Sequence, residues 1–159
     1  MMEINVLVDA SLKKSISKKW LEKLTGRVLL AAGVEANAEL SLMVTNQEKV
    51  HELNLKYLGR DAPTDVLSFP MLPVQPPLST SPFVSPPDGV KHLGEVVISY
   101  PQAALQAEEH GHPVKREIAI LIIHGVLHLL GYDHVGSAPG RKMRTREAQI
   151  LASIEKELT

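Results

Sequence analysis

The chain has 159 residues, which is enough for one ordinary domain with a core of its own. Hydrophobic residues make up 44% and charged residues 22%, values typical of a globular protein, and the net charge of −1 provides no overall attraction to nucleic acid. The lack of cysteine excludes disulfides and thiolate metal ligands, so His, Asp and Glu remain as candidate ligands.

The predicted elements come in mixed order along the chain. We predict strands at Ile4–Val8, Glu39–Thr45, Asp65–Phe69 and Gly94–Ser99. Helices are predicted from an N-cap at Ser17 to a stop at Gly33, from an N-cap at Asn46 to about Tyr57, and over Tyr100–His110, Val114–Leu130 and Pro139–Leu158. This order predicts an α+β fold: a single domain over residues 1–159, with one small four-stranded mixed sheet packed with about five helices.

One segment differs in composition from the rest of the chain. Seven of the eleven prolines lie between Pro70 and Gly89. Too little chain lies on either side for two independent cores, so we expect a proline-rich loop at residues 70–92 inside the domain.

Membrane and export signals are not evident in the sequence. The N-terminus has no basic region followed by a long apolar run, and the longest apolar stretch, Ile118 to Ile123, is too short to span a membrane. We therefore expect a cytoplasmic protein without a membrane partner.

The segment most informative about chemistry is His124-Gly-Val-Leu-His128-Leu-Leu-Gly131-Tyr-Asp-His134. Residues four apart lie on one face of a helix, so His124 and His128 can converge on one metal ion. Gly131 can adopt the left-handed conformation that ends a helix, which lets His134 return to the same point. Three imidazoles with an open fourth position are typical of a catalytic zinc site, although nickel and copper suit the same ligands.

This spacing also matches the extended zinc-protease signature, in which a glutamate follows the first histidine and acts as general base. Here that position is Gly125, so the protease mechanism lacks its proton acceptor. A metalloprotease-like hydrolase therefore remains as an alternative only.

The same signature, His-Gly-x-Leu-His-Leu-x-Gly-Tyr-Asp-His, resembles that of the YbeY family of bacterial endoribonucleases. Two further stretches resemble strands of that family, PTDVLSFP at Pro63–Pro70 and LGEVVIS at Leu93–Ser99. The resemblance implies a zinc-dependent endoribonuclease specific for single-stranded RNA. It would act on ribosomal RNA of the small ribosomal subunit, in 3′-end maturation and in ribosome quality control. The other alternative is a non-catalytic, zinc-stabilised ribosome-assembly factor, whose site would be closed by a fourth protein ligand.

The resemblance also implies site residues. His124, His128 and His134 would hold one Zn²⁺ per chain, with His124 also counted as catalytic. The family arginine that is thought to assist catalysis is replaced here by Leu58, and Arg60 is the nearest cation that can stabilise charge on a phosphate. We expect the protein to act as a monomer.

Other polar residues near these motifs are expected to have ordinary roles. Glu117 is predicted to be a solvated residue of a first helical turn, although it lies seven residues before His124 on the same helix face. The remaining histidines are predicted to lie on the surface; they are His51, His92, His110 and His112. Asp65 is expected to orient the loop that enters the third strand.

Overall fold

The sheet of this protein contains four strands in the order β1-β2-β4-β3. The computed structural model describes residues 2–70, 91–132 and 137–158, without the side chains of 137–139. The strands are β1 Glu3–Val8, β2 Ala38–Thr45, β3 Val66–Pro70 and β4 Lys91–Ser99. Strands β1, β2 and β4 are parallel, and β3 is antiparallel to β4. The predicted mixed four-stranded sheet, with β4 in a central position, is confirmed.

Five α-helices pack around this sheet in the described residues, in agreement with the prediction of about five. They are α1 Lys18–Ala31, α2 Gln47–Leu58, α3 Tyr100–His110, α4 Val114–Leu129 and α5 Ser137–Ser153. Short 3₁₀ turns lie at Ala10–Leu12 and Glu155–Leu158. In the part of the chain that the structure describes, no helix is both long enough and apolar enough to cross a membrane.

The helix starts follow from local capping chemistry. The Ser17 side chain accepts a hydrogen bond from the backbone N–H of Trp20, and the Asn46 side chain accepts one from that of Lys49. Both predicted N-caps are confirmed, because each side chain satisfies a backbone donor that the first helical turn leaves unpaired. Gly33, with φ of 81°, follows the end of α1 as predicted.

The main core lies between the sheet and the helices α1 and α4. Helix α1 contributes Leu21, Leu24, Val28 and Leu29, all fully buried. A smaller cluster lies elsewhere on the sheet, where Val50 of α2 packs with Leu67 and Val97. Alternate residues of the strands thus contribute to two clusters, and the larger cluster holds α4 against β3 and β4.

The end of β3, the start of β4 and the end of α5 differ from the prediction. Strand β3 extends to Pro70 and β4 begins at Lys91, so both strands reach into the segment predicted as a loop at 70–92; residues 71–90 lie outside the described residues. The last helix ends at Ser153 and does not continue to Leu158. The Ser153 hydroxyl donates to the carbonyl of Ile150, and the chain continues in the 3₁₀ turn Glu155–Leu158, whose Glu157 carbonyl accepts from the Trp20 indole.

Candidate functional site

Helix α4 presents two histidines to solvent along an otherwise buried surface. Every residue from Leu121 to Leu129 is buried except His124 and His128, which are part-exposed. Their Nε2 atoms lie 3.1 Å apart and their ring centroids 4.6 Å apart. Two nitrogens bound to one tetrahedral zinc at about 2.0–2.1 Å would lie about 3.3 Å apart. The pair therefore has the separation that a shared metal ion requires.

The end of α4 has the geometry that the sequence predicted. Gly131 has φ of 97°, a left-handed conformation that favours glycine. The Gly131 N–H donates to the carbonyl of His128, and the Tyr132 N–H donates to that of Leu127, which is the Schellman pattern. His134 and its neighbour Asp133 lie outside the described residues, so the third predicted ligand stays a prediction.

The packing of α4 explains why position 125 is glycine. A Cβ atom added to Gly125 would lie 2.7 Å from Cγ1 and 3.0 Å from Cγ2 of Val96 on β4, and 3.3 Å from Oγ of Ser68. The Ser68 hydroxyl also donates to the Gly125 carbonyl at 3.2 Å. Position 125 thus points into the contact between α4 and the sheet, where a glutamate side chain has no space. This is the physical reason why the site lacks the protease base.

A cleft of about 410 Å³ brings the predicted residues together. His124, His128 and Arg60 all line this cleft. The other lining residues come from the end of α2, the loop after it and β3; they are Asn54, Leu58, Thr64, Asp65, Val66, Leu67, Ser68 and Pro70. Of the four predicted site residues, the three that the structure describes therefore share one cleft.

The loop that carries Arg60 is held against α2 by several polar contacts. Gly59 ends α2 with φ of 68°, so the chain bends where the sequence predicted a bend. The Arg60 N–H donates to the carbonyl of Asn54, and the Asn54 amide donates to the carbonyl of Ala62 at 2.9 Å. His51 contacts the Asp61 carboxylate at 2.7 Å. The exposed Arg60 side chain therefore extends from a backbone that is anchored on both sides.

Asp65 connects this loop to β3 and α3. Its Oδ1 accepts hydrogen bonds from the Val66 N–H at 2.8 Å and from the Thr64 hydroxyl at 3.3 Å. Its Oδ2 accepts one from the Gln106 amide of α3 at 3.2 Å. The predicted orienting role of Asp65 is thus confirmed, and Ser68 of β3 lines the same cleft.

One residue of the site was missed by the sequence analysis. Glu147 of α5 places its Oε1 3.6 Å from Nδ1 of His124, an ion-pair distance rather than a short hydrogen bond. A carboxylate on the outer nitrogen of a ligand imidazole orients the ring and raises its basicity. No motif indicated this contact, because Glu147 lies 23 residues after His124 and on a different helix.

The predicted solvated role of Glu117, near the start of α4, is wrong, whereas His110 is exposed as predicted. Glu117 is buried, with only 3% of the residue exposed, and its Oε1 accepts from both His110 Nδ1 and His112 Nε2. The three side chains form a compact group whose ligand atoms all lie within 4.8 Å of one another. His92 also has a carboxylate partner, since its Nδ1 lies 2.7 Å from Oε1 of Glu39.

The fold and the site together define a small α+β domain with a candidate histidine metal site in an open cleft. The profile of the family described as Endoribonuclease YbeY matches residues 5–155. Proteins named Endoribonuclease YbeY from Dehalococcoides mccartyi strain BAV1 and Roseiflexus castenholzii are 50% and 41% identical to this chain over 159 and 149 residues. The matches cover 99% and 93% of this chain, and 99% and 85% of those relatives.

A solution structure from Thermotoga maritima has a similar fold. It matches with a TM-score of 0.63 at 23% identity, over 97% of this chain and 90% of that one. The extent of the sequence matches settles the family, and this chain belongs to the endoribonuclease YbeY family.

Proposed function

We propose that this protein is a zinc-dependent endoribonuclease specific for single-stranded RNA. Its substrate would be ribosomal RNA of the small subunit, in 3′-end maturation and ribosome quality control, and it would act in the cytoplasm as a monomer. Family membership supports cleavage of RNA. The observation that carries the assignment to this cleft is the pair of Nε2 atoms, 3.1 Å apart, facing a space that Arg60 also lines.

The donor atoms around the Nε2 atoms of His124 and His128 fit a metal ion of intermediate softness. Two imidazole nitrogens converge, a carboxylate lies behind one of them, and the proposed third ligand His134 follows the left-handed turn at Gly131. Zinc bound by these residues would supply Lewis-acid polarisation of the scissile phosphodiester. Among the described residues that line the cleft, no carboxylate other than that of Asp65 is present, and Asp65 already accepts three hydrogen bonds.

The chain's own residues bind and orient the RNA in this proposal. The Arg60 guanidinium presents planar paired donors that match phosphate oxygens, and it would stabilise the charge that develops on them. Its anchored backbone restricts the ordering cost on binding to that of the side chain. Glu147 would hold the His124 ring in one orientation, with the Nδ1 proton directed at the carboxylate and the Nε2 lone pair directed into the cleft.

The protease alternative has no support in this geometry, because a side chain at position 125 would collide with Val96 of β4. A non-catalytic assembly factor would also bind the metal ion but would cleave no RNA. The decisive experiment therefore measures cleavage of single-stranded RNA, duplex RNA and casein by purified protein, before and after chelation and with zinc restored.

We expect cleavage of single-stranded RNA that is lost on chelation, restored by zinc and abolished in His128→Ala. His92→Asn is the matched control, because it removes an imidazole paired with a carboxylate outside the cleft. Folded, zinc-loaded protein that cleaves no RNA would leave the assembly-factor alternative. Casein hydrolysis that His124→Ala abolishes would favour the protease.

A further inference from the structure

We propose that His110, His112 and Glu117 form a second site for a divalent transition-metal cation, separate from the histidine pair of the cleft. The group lies at the turn between α3 and α4, where Gly111 adopts φ of 68° and allows the two histidines to face Glu117. The expected cation is of the zinc, cobalt or manganese type, because two imidazole ligands disfavour magnesium and calcium.

The geometry of the group already resembles a coordination shell. Oε1 of Glu117 lies 3.0 Å from Nδ1 of His110 and 2.6 Å from Nε2 of His112. Ligand atoms around a tetrahedral zinc lie about 3.3 Å apart, so the three side chains need to separate by only a few tenths of an ångström. Two histidines with one glutamate form an established catalytic zinc ligand set, which leaves a position open to solvent.

The hydrogen bonds of Glu117 with described residues use one of its two carboxylate oxygens. Both contacts of Glu117 with residues that the structure describes go to Oε1, although the side chain is only 4% exposed. A buried carboxylate normally has a cationic partner, because desolvating its charge is costly. A neutral imidazole carries one ring proton, and the tautomer with that proton on the other nitrogen would offer its lone pair to a cation. Coordination thus requires a change of tautomer and no net change in protonation.

The pocket beside the group favours a positive charge. This pocket has a volume of about 310 Å³, and Asp65, Glu109 and Glu117 all line it. Within its described lining there is no lysine or arginine. His110 is 56% exposed and His112 is 20% exposed, so a hydrated cation can reach the ligands from solvent.

The proposed site is near the cleft but separate from it. Glu117 and His124 lie seven residues apart on α4, which corresponds to a distance of about 10 Å along the helix. Both residues line the acidic pocket. The cation would therefore lie beside the proposed RNA-binding cleft and offset the negative charge of the pocket. It would also fix the end of α3 to the first turn of α4.

The test measures metal content and does not depend on RNA cleavage. Purified protein is loaded with zinc, freed of excess ion by gel filtration and analysed for zinc per chain; cobalt titration followed by visible absorbance gives an independent count. We expect two ions in the wild type, one in His110→Asn, one in His128→Ala and none in the double variant. His110→Asn is the first choice because the exposed His110 side chain contributes little to folding. Glu117→Gln, with circular dichroism to establish folding, is the second.

The control is His92→Asn, which disrupts a histidine–carboxylate pair that belongs to no three-ligand group among the residues the structure describes. One ion in the wild type, removed by His128→Ala and unaffected by His110→Asn, would overturn the second site. So would loss of the second ion in the control, because that ion would then be adventitious. An inactive protein that binds two ions would contradict the proposed ribonuclease function and leave the second site intact.

Discussion

The close contact between α4 and the sheet makes Gly125→Ala a sharp test of the packing. The added methyl would lie 2.7 Å and 3.0 Å from the two methyl carbons of Val96. Val96 is fully buried on the central strand β4, and a β-branched side chain has few alternative rotamers. The contact therefore has to be relieved by movement of the helix or of the strand.

The expected free-energy change combines two opposite terms. Overpacking of a filled core costs about 1–3 kcal/mol, and the stiff neighbour favours the upper end of that range. Replacing glycine by alanine inside a helix contributes about 1 kcal/mol in the other direction. We expect a net loss of about 2 kcal/mol in the free energy of unfolding, which lowers the melting temperature by about 4–8 °C for a chain of this size.

Urea denaturation at a fixed zinc concentration measures this change, with fluorescence of Trp20, the only tryptophan, as the reporter. In a Val96→Ala background the same Gly125→Ala change should be stabilising by about 1 kcal/mol, because the clash is gone. Gly26→Ala in α1 is the matched control, since its Cβ would meet only the terminal Cδ1 of Ile4 at 3.3 Å. The reasoning is refuted if Gly125→Ala stabilises the wild type as much as Gly26→Ala does.

Three further predictions concern the cleft and the end of β1. Arg60→Ala should slow RNA cleavage by about 10²–10³-fold without changing the melting temperature, because Arg60 lines the cleft from an exposed loop; a wild-type rate would show that this arginine is ordinary surface. Glu147→Gln should weaken zinc binding about 10–100-fold, because Oε1 lies 3.6 Å from Nδ1 of His124; an unchanged Kd in competition with a chromophoric chelator would contradict this. A hydrogen bond from the backbone N–H of Ser11 is the main cause that holds the pKa of Asp9 below its ordinary value of 3.8. The stability contributed by the ionised Asp9 is therefore present at neutral pH and lost as the pH falls through the lowered pKa, so the stability difference between wild type and Asp9→Asn should shrink as the pH falls below the ordinary value of 3.8. A constant difference would count against this assignment.

The features predicted correctly are those decided by residues near one another in the chain. Ser17 and Asn46 cap helices because their side chains reach backbone donors three residues away. Gly131 ends α4 because the left-handed conformation there favours glycine. The four-residue spacing of His124 and His128 places both on one helix face whatever the rest of the fold does. Local geometry was therefore sufficient for this part of the site.

The features missed depend on which elements pack against each other. Glu117 has the position of a solvated first-turn glutamate, yet two histidines from the preceding turn cover it. Glu147 reaches His124 only because α5 packs on α4. In both cases the partner is supplied by another element, so neither periodicity nor capping indicates it. The extra residues of β3 and β4 have the same origin, because Pro70 pairs with Gly94, and Lys91 and His92 pair with Ala38 and Glu39 of β2.

The burial of α4 couples the stability of this protein to its proposed activity. His124 and His128 are the part-exposed positions of a helix face otherwise packed into the core, whereas Arg60 lines the same cleft from the loop after α2. A core substitution that moves α4 therefore changes the distance between the imidazoles and the guanidinium. A displacement of about 1 Å costs on the order of 10²-fold in rate when catalytic groups act together. We expect Gly125→Ala to lower RNA cleavage by far more than its unfolded fraction explains, and the Val96→Ala second change to restore part of the rate. Activity that follows only the folded fraction would mean that α4 keeps its position and that β4 absorbs the strain.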